Sequence, residues 1–347
     1  MRTSILSWLV SGTVVLGLGI SGCSKSTDSK SNTGPTSPVQ PARPTYQLSS
    51  YLDLVQRATP PQYQGAEARN QSFLRADSVS GDIWKDGSNP ILGKVFGTDE
   101  TFSLYHNLGY IDFLTSTINR VASQGVANGD TIVAPTPEGV SIHAIVSFYR
   151  LTDPVAVPAA CRPVLGLDQV ALDYVFTARV LEAPMVIHMG FARTDSAETL
   201  LIWQHEMTQG SATSILYAHR DIAHDTVRIR SMFYKAWDTS LAKWNFDIYT
   251  SGSDLFVYRM GWFADEPGNG QQIAGVVGGG NHATQFALRF RAHSTGLDQD
   301  ITQVFGDSYA EIEGSVPDGL QSYTGAPEYA GDSMLTGQLD TPFSVGE

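Results

Sequence analysis

The 347-residue chain has only two cysteines, Cys23 and Cys161. A disulfide framework is thereby excluded, and the fold has to rest on a hydrophobic core. Basic residues are scarce as well: 22 Lys and Arg stand against 35 Asp and Glu, for a formal net charge of -13. That balance opposes phosphate backbones, so no nucleic-acid partner is expected. After Arg291 there is no Lys or Arg at all, while acids recur from Asp298 to Glu347. Long apolar runs are also missing. The single candidate, Ile5 to Ile20, is interrupted by Ser7, Ser11, Gly12 and Thr13, and a spanning helix needs about 20 mostly apolar residues.

What is present at the N-terminus is the layout of a cleavable export signal: Arg2, the short apolar stretch, and small residues leading to a cysteine. Ile20-Ser21-Gly22-Cys23 resembles the lipobox of bacterial lipoproteins. The resemblance implies cleavage between Gly22 and Cys23, a diacylglyceryl group on the Cys23 thiol and acylation of the new amino terminus. Membrane lipid becomes the partner of Cys23, since each buried methylene contributes about 0.8 kcal/mol and several chains together hold firmly. Ser24 in place of Asp after the cysteine implies the outer membrane, with the periplasmic and surface faces both open.

Composition divides the rest. Residues 1–22 are the signal peptide. Residues 23–45, rich in Ser, Thr and Pro, are expected to be a disordered tether, because they bury too little apolar surface to offset the entropy of ordering. Residues 46–294 are expected to be one β-rich domain, and 295–347 an acidic, Gly-rich, largely irregular tail.

Within the domain, Leu104, Leu108, Ile111, Leu114, Ile118 and Val121 recur at helical spacing, predicting a helix over 101–123. Pro60-Pro61 ends a shorter one near 49–57. Beyond Gly129 the period falls to two, first in Val140, Ile142, Ala144, Val146 and Phe148, and last in Phe286, Leu288 and Phe290. Short connections between such runs favour antiparallel hairpins. The fold class expected is mainly β with N-terminal helices (α+β), an antiparallel meander of about nine strands curled into a half-barrel or barrel around a helix. A β-sandwich is the alternative. In element order this resembles the half-barrel lipid and lipoprotein carriers of the bacterial envelope, which implies an apolar ligand.

Residues that carry chemistry give little. His188, His205 and His219 fall on expected strands; if Ile187, Met189 and Phe191 share a face with Leu201 and Trp203, His188 points away from His205. His205 and His219 are then about four residues out of register. His219, Asp221, His224 and Asp225 read as a solvated turn, and no metal or other cofactor is expected. Gly306-Asp307-Ser308 matches a lipase block, but no histidine follows His293. Ser240-Leu241-Ala242-Lys243 has no Lys-Thr-Gly partner. Asp298-x-Asp300-x-Thr302 opens like a calcium loop but places Tyr309 at its twelfth position. Cys161 lies in no cysteine-enzyme signature, so no catalytic residue is assigned.

Two long or Gly-rich segments are candidate rims: Leu151 to Gln169, and Gly278-Gly279-Gly280-Asn281-His282. Aromatics concentrate between 200 and 263, and Trp203, Tyr217, Trp244, Tyr258 and Trp262 are the candidate ligand-binding set. The expected function is a non-enzymatic, membrane-anchored envelope lipoprotein that binds a hydrophobic ligand or an envelope protein. A glycan-binding surface module and a hydrolase are the alternatives.

Overall fold

The computed structural model describes residues 43–51, 53–54, 95, 104–135, 141–181, 185–208, 210–236, 241–252, 255–266, 270–281, 283–294, 297–307 and 310–325. The signal peptide, the lipobox and nearly all of the tether lie outside these residues. Helix α1 spans Leu104–Ser123, within the expected limits. All six of its spaced aliphatic residues are buried. Each contributes about 1.5–3 kcal/mol relative to exposure, more than helix propensity alone supplies. The helix ends before Gly125, whose φ of 70° needs no Cβ. Arg43 reaches its last carbonyls, donating to Val121 O and Ala122 O at 3.4 Å each.

The strands follow in order: β1 Thr131–Pro135, β2 Ser141–Arg150, β3 Val155–Ala156, β4 Gln169–Val170, β5 Tyr174–Val180, β6 Met185–Arg193 and β7 Ala197–Thr208. Next come β8 Gly210–Asp221, β9 Thr226–Ala236, β10 Leu241–Ser251, β11 Leu255–Glu266, β12 Gly270–Asn281, β13 Gln285–Ser294, β14 Leu297–Gly306 and β15 Glu311–Ile312. A short helix, α2, Arg162–Leu165, lies between β3 and β4, and a 3-10 turn spans Asp318–Tyr323.

Among the described residues thirteen strands form one antiparallel sheet, each paired to the next in the chain; only β3 and β4 stand apart as a small ribbon. The sheet is open, with β1 and β15 at its edges, so the meander is confirmed and a closed barrel is not formed.

The inner face carries one continuous core. It runs from Val146 and Phe148 on β2, through Ile202 on β7 and Tyr258 on β11, to Phe305 on β14, and it includes α1. Each chain residue that points the other way belongs to the outer face, which is covered in two places. Over β5 to β9 the segment containing β3, α2 and β4 packs Val157, Cys161 and Leu165 onto Val175, Leu201, Trp203 and Met232. Over β12 to β14 the chain after β15 lays Val316, Leu320 and Tyr323 on Ala287 and Val304.

Two sequence expectations are corrected here. Residues 297–306 are not part of an irregular tail: they form β14, which pairs along its length with β13, with Phe305 opposite Phe286 and Ile301 opposite Phe290. Those apolar partners and an Arg289–Asp300 ion pair at 2.7 Å outweigh the acidic composition. Near the N-terminus, Asp53 and Leu54 are helical, but Ser49 to Tyr51 are not; their backbone groups bond to side chains instead. Residues 55–57 and the end of the tail, 326–347, lie outside the described residues.

Candidate functional site

The five aromatics do not converge on one wall. Trp203 is fully buried under the first outer cover, and Tyr217 packs half-buried beside it, its ring stacked on that of His219 at 6.5 Å. Tyr258 is fully buried on the opposite face, with its hydroxyl donating to Met260 Sδ at 3.6 Å. Trp244 and Trp262 are register partners on β10 and β11. Two buried faces, rather than one lined cavity, therefore account for the aromatic density where side chains are described.

The histidine geometry also changes. His188 opposes Trp203 and Val186 opposes His205, so His188 and His205 occupy the same face. The parity argument fails because Leu200 to Trp203 are buried on both sides of β7, leaving apolarity with no alternation to read. His219 opposes Thr199 and bonds to its hydroxyl, Nδ1 to Oγ1 at 3.1 Å. It is six positions from His205, about 20 Å at about 3.3 Å per residue, rather than four. At the turn, His224 pairs with Asp221 at 2.7 Å, which holds that carboxylate below its usual range.

The candidate rims have structural occupants. Leu151 to Gln169 supplies much of the first outer cover. A Cβ on Gly278 would meet Ala287 O at 2.4 Å, and one on Gly279 would meet Phe256 O and the Tyr323 ring at 2.7 Å. The close approach these glycines permit is by the chain itself, not by a ligand. Asp298 and Asp300 lie on β14, not in a calcium loop, and Asp300 is held by Arg289. Cys161 is fully buried, and burial pushes its thiol up to about 12, so it carries no thiolate at neutral pH. Gly306 ends β14 and Leu241 to Lys243 open β10; Ser308 and Ser240 lie outside the described residues.

A site that the sequence did not reveal lies where the N-terminal segment enters the domain. Side chains from four elements, α1, β6, β7 and β8, hold its backbone at successive residues. Arg193 donates to Gln47 O. Asn119 brackets Leu48, accepting from its N–H at 2.7 Å and donating to its carbonyl at 2.8 Å. Glu198 Oε2 accepts from Ser49 N at 2.8 Å, Arg220 donates to Ser50 O at 2.7 Å, and Asp112 accepts from Tyr51 N at 2.8 Å.

Glu198 is wholly buried and paired with Arg193 at 3.1 Å, while its Oε1 has no hydrogen-bond partner among the described residues. The Arg220 guanidinium sits 4.8 Å above the buried Tyr51 ring, a favourable cation–π placement. Burial, then the nearby Glu198 charge, raises the Tyr51 phenol above its ordinary range. A surface cavity of about 540 Å³ opens beside the clamp, lined by Tyr46, Ser49, Asp53, Arg193 and Arg220 among others. Five of the polar side chains here bond to the peptide backbone, an arrangement that grips a chain. The only signal in the sequence was Glu198 and Arg220 interrupting apolar strands.

The second unforeseen arrangement lies on the outer face between the two covers. One lateral row of register partners runs Tyr217, Arg230, Asp247, Arg259, Val277, Arg289 from β8 to β13. Arg228 forks onto Asp247 through Nε at 3.1 Å and Nη2 at 2.5 Å, and Arg230 Nε lies 3.8 Å from the same carboxylate. Arg289 forks onto Asp300 at 2.8 and 2.7 Å. Arg230 also donates to Leu165 O in one cover, and Arg289 to Thr324 O beside the other. Comparison of the chain with family models, with curated proteins and with solved structures returns no match.

Proposed function

We propose that this is a non-enzymatic lipoprotein of the bacterial outer membrane, anchored through acylated Cys23, whose β domain binds an envelope partner. The observation that carries the reading is the clamp on Gln47 to Tyr51. A chain pulled from its N-terminal side by a lipid anchor applies force where the peptide enters the domain, and five side chains grip the backbone there. Such a grip has an evident purpose in a tethered protein.

A partner on the polar outer face is favoured over a loose apolar ligand, because the inner face between β2 and β14 is filled by α1 and its own aromatics. The glycan-binding reading gains a specific observation: Tyr249, half-buried, lies beside the arginine row as the register partner of Arg228.

Metabolic labelling with a palmitate analogue tests the anchor. The chain should incorporate label and partition with membranes, and Cys23→Ser should abolish both. A Cys23→Ser chain that still takes label, or stays in the membrane fraction, contradicts the reading.

A further inference from the structure

We infer that the outer strip between the two covers is a binding site for an acidic polysaccharide, with Arg259 as its central contact; the inference rests on the partner-binding reading above.

Charge comes first. On the outer face of β9 to β14 the described charged side chains are Arg228, Arg230, Arg259, Arg289, Arg291 and two carboxylates, Asp247 and Asp300. The register adds Lys243, Asp265 and Asp298 to the same face, so six cations stand against four anions and leave it at +2, within a chain of net charge -13. Such segregation costs self-repulsion in a folded protein unless a counter-charge arrives.

Geometry comes second. Arg230, Arg259 and Arg289 lie in one register row on β9, β11 and β13, and neighbouring strands are about 4.8 Å apart, so their backbones are spaced by about 10 Å. The outer two are oriented by fixed partners: Asp247 and Leu165 O for Arg230, Asp300 and Thr324 O for Arg289. Arg259, in the middle, is exposed and has no ion-pair or hydrogen-bond partner among the described residues. The row thus offers two held guanidiniums and one available fork, the geometry that carboxylates and phosphates bind bidentately.

Shape selects the class of ligand. The covers stand over β9 on one side and over β12 and β13 on the other, about 14 Å apart at three strand spacings, with Arg230 and Arg289 at the two rims and Arg259 between them; strands of about 11 residues run about 36 Å. A strip of about 500 Å² falls short of the roughly 800 Å² per side that a stable protein interface buries. It accommodates a single polymer chain. Tyr249, half-buried, is the register partner of Arg228 and places an aromatic group within the strip, the kind of group on which sugars stack.

The test uses the full acylated chain in detergent, titrated with a fluorescent oligogalacturonate and read by anisotropy. A neutral dextran oligosaccharide of equal length and inorganic polyphosphate serve as comparisons. Saturable oligogalacturonate binding is expected, with dextran inert and polyphosphate weaker. Arg259→Ala should weaken binding about tenfold or more, as expected for loss of a charge-assisted fork; Arg259→Lys should recover part of it. Arg150→Ala, on β2, should leave it unchanged. Failure of all three ligands to bind, equal weakening by Arg150→Ala, or no effect of Arg259→Ala would each overturn the assignment. Polyphosphate binding as tightly as the sugar would overturn its polysaccharide part. None of these results bears on Cys23, whose acylation the palmitate experiment decides by itself.

Discussion

The two faces of the sheet are built differently. The inner face carries one continuous apolar cluster from β2 to β14, packed against α1. The outer face is a patchwork: two small cores, each under a folded-back piece of chain, separated by charged residues. The difference teaches that an extensive meander can complete its stability on one side and leave part of the other for recognition. It also shows why β7 resists a period-two reading, since Leu200 to Trp203 meet apolar partners on both faces.

The largest effect belongs to the inner face. Phe290, fully buried, should on replacement by Ala lose about 3–5 kcal/mol of stability, measured by denaturant unfolding. Leu165→Ala, beneath the first outer cover, should lose less if that cover opens on its own, toward the low end of about 2–5 kcal/mol. Equal losses would mean the two cores unfold as one.

The clamp comes next. Glu198→Ala removes the acceptor for Ser49 N and the partner of Arg193, whose side chain is 30% exposed. Because Arg193 regains water, the loss should be about 2 kcal/mol rather than the 3–5 of a fully buried pair. The segment around Gln47 should be cut by protease before the sheet is. If the sheet is cut first, the clamp is not holding that segment.

Gly278→Ala sharpens the contrast between ligand rim and packing. Its Cβ would meet the Ala287 carbonyl and Leu288, so about 1–3 kcal/mol should be lost through overpacking. A neutral outcome would return the glycine run to candidate rim.

Cys161 gives the smallest effect. Its thiol is raised from 9.0 to about 12 by burial, so the neutral form is favoured on folding. The sign follows: this contribution is complete below about pH 9 and is lost as pH rises toward the folded-state value. In a Cys23→Ser chain, a thiol reagent at about pH 8 should react slowly in the native state and rapidly in denaturant. Fast native labelling would contradict the burial of the first outer core.

Much of the fold was legible because its signals are local. The six aliphatic residues of α1 and the alternation in β2 and β13 each express one buried face, and short hairpins fix an antiparallel order. The covers were not legible. Val157, Leu165 and Leu320 are isolated apolar residues in Pro- and Gly-punctuated chain, and they matter only once the topology brings them onto the sheet. The same holds for Leu297–Gly306, where acidity hid an alternating strand. The arginine row was invisible for a related reason: Arg230, Arg259 and Arg289 are far apart in sequence, and only the register aligns them. The aromatic set divides between two faces, Trp203 and Tyr217 on one and Tyr258 on the other, because aromatic richness in a sequence does not distinguish two packed faces from one lined pocket.

Tyr258 and Arg259 are consecutive on β11 and belong to opposite faces, so a pair of unfolding curves tests the account most directly. Tyr258→Ala should lose about 3–5 kcal/mol, as large-to-small changes at buried aromatics do, whereas Arg259→Ala should stay within about 0.5 kcal/mol of the parent chain. Comparable losses for the two, or a neutral Tyr258→Ala, would contradict the division into a structural inner face and an outer strip free to bind.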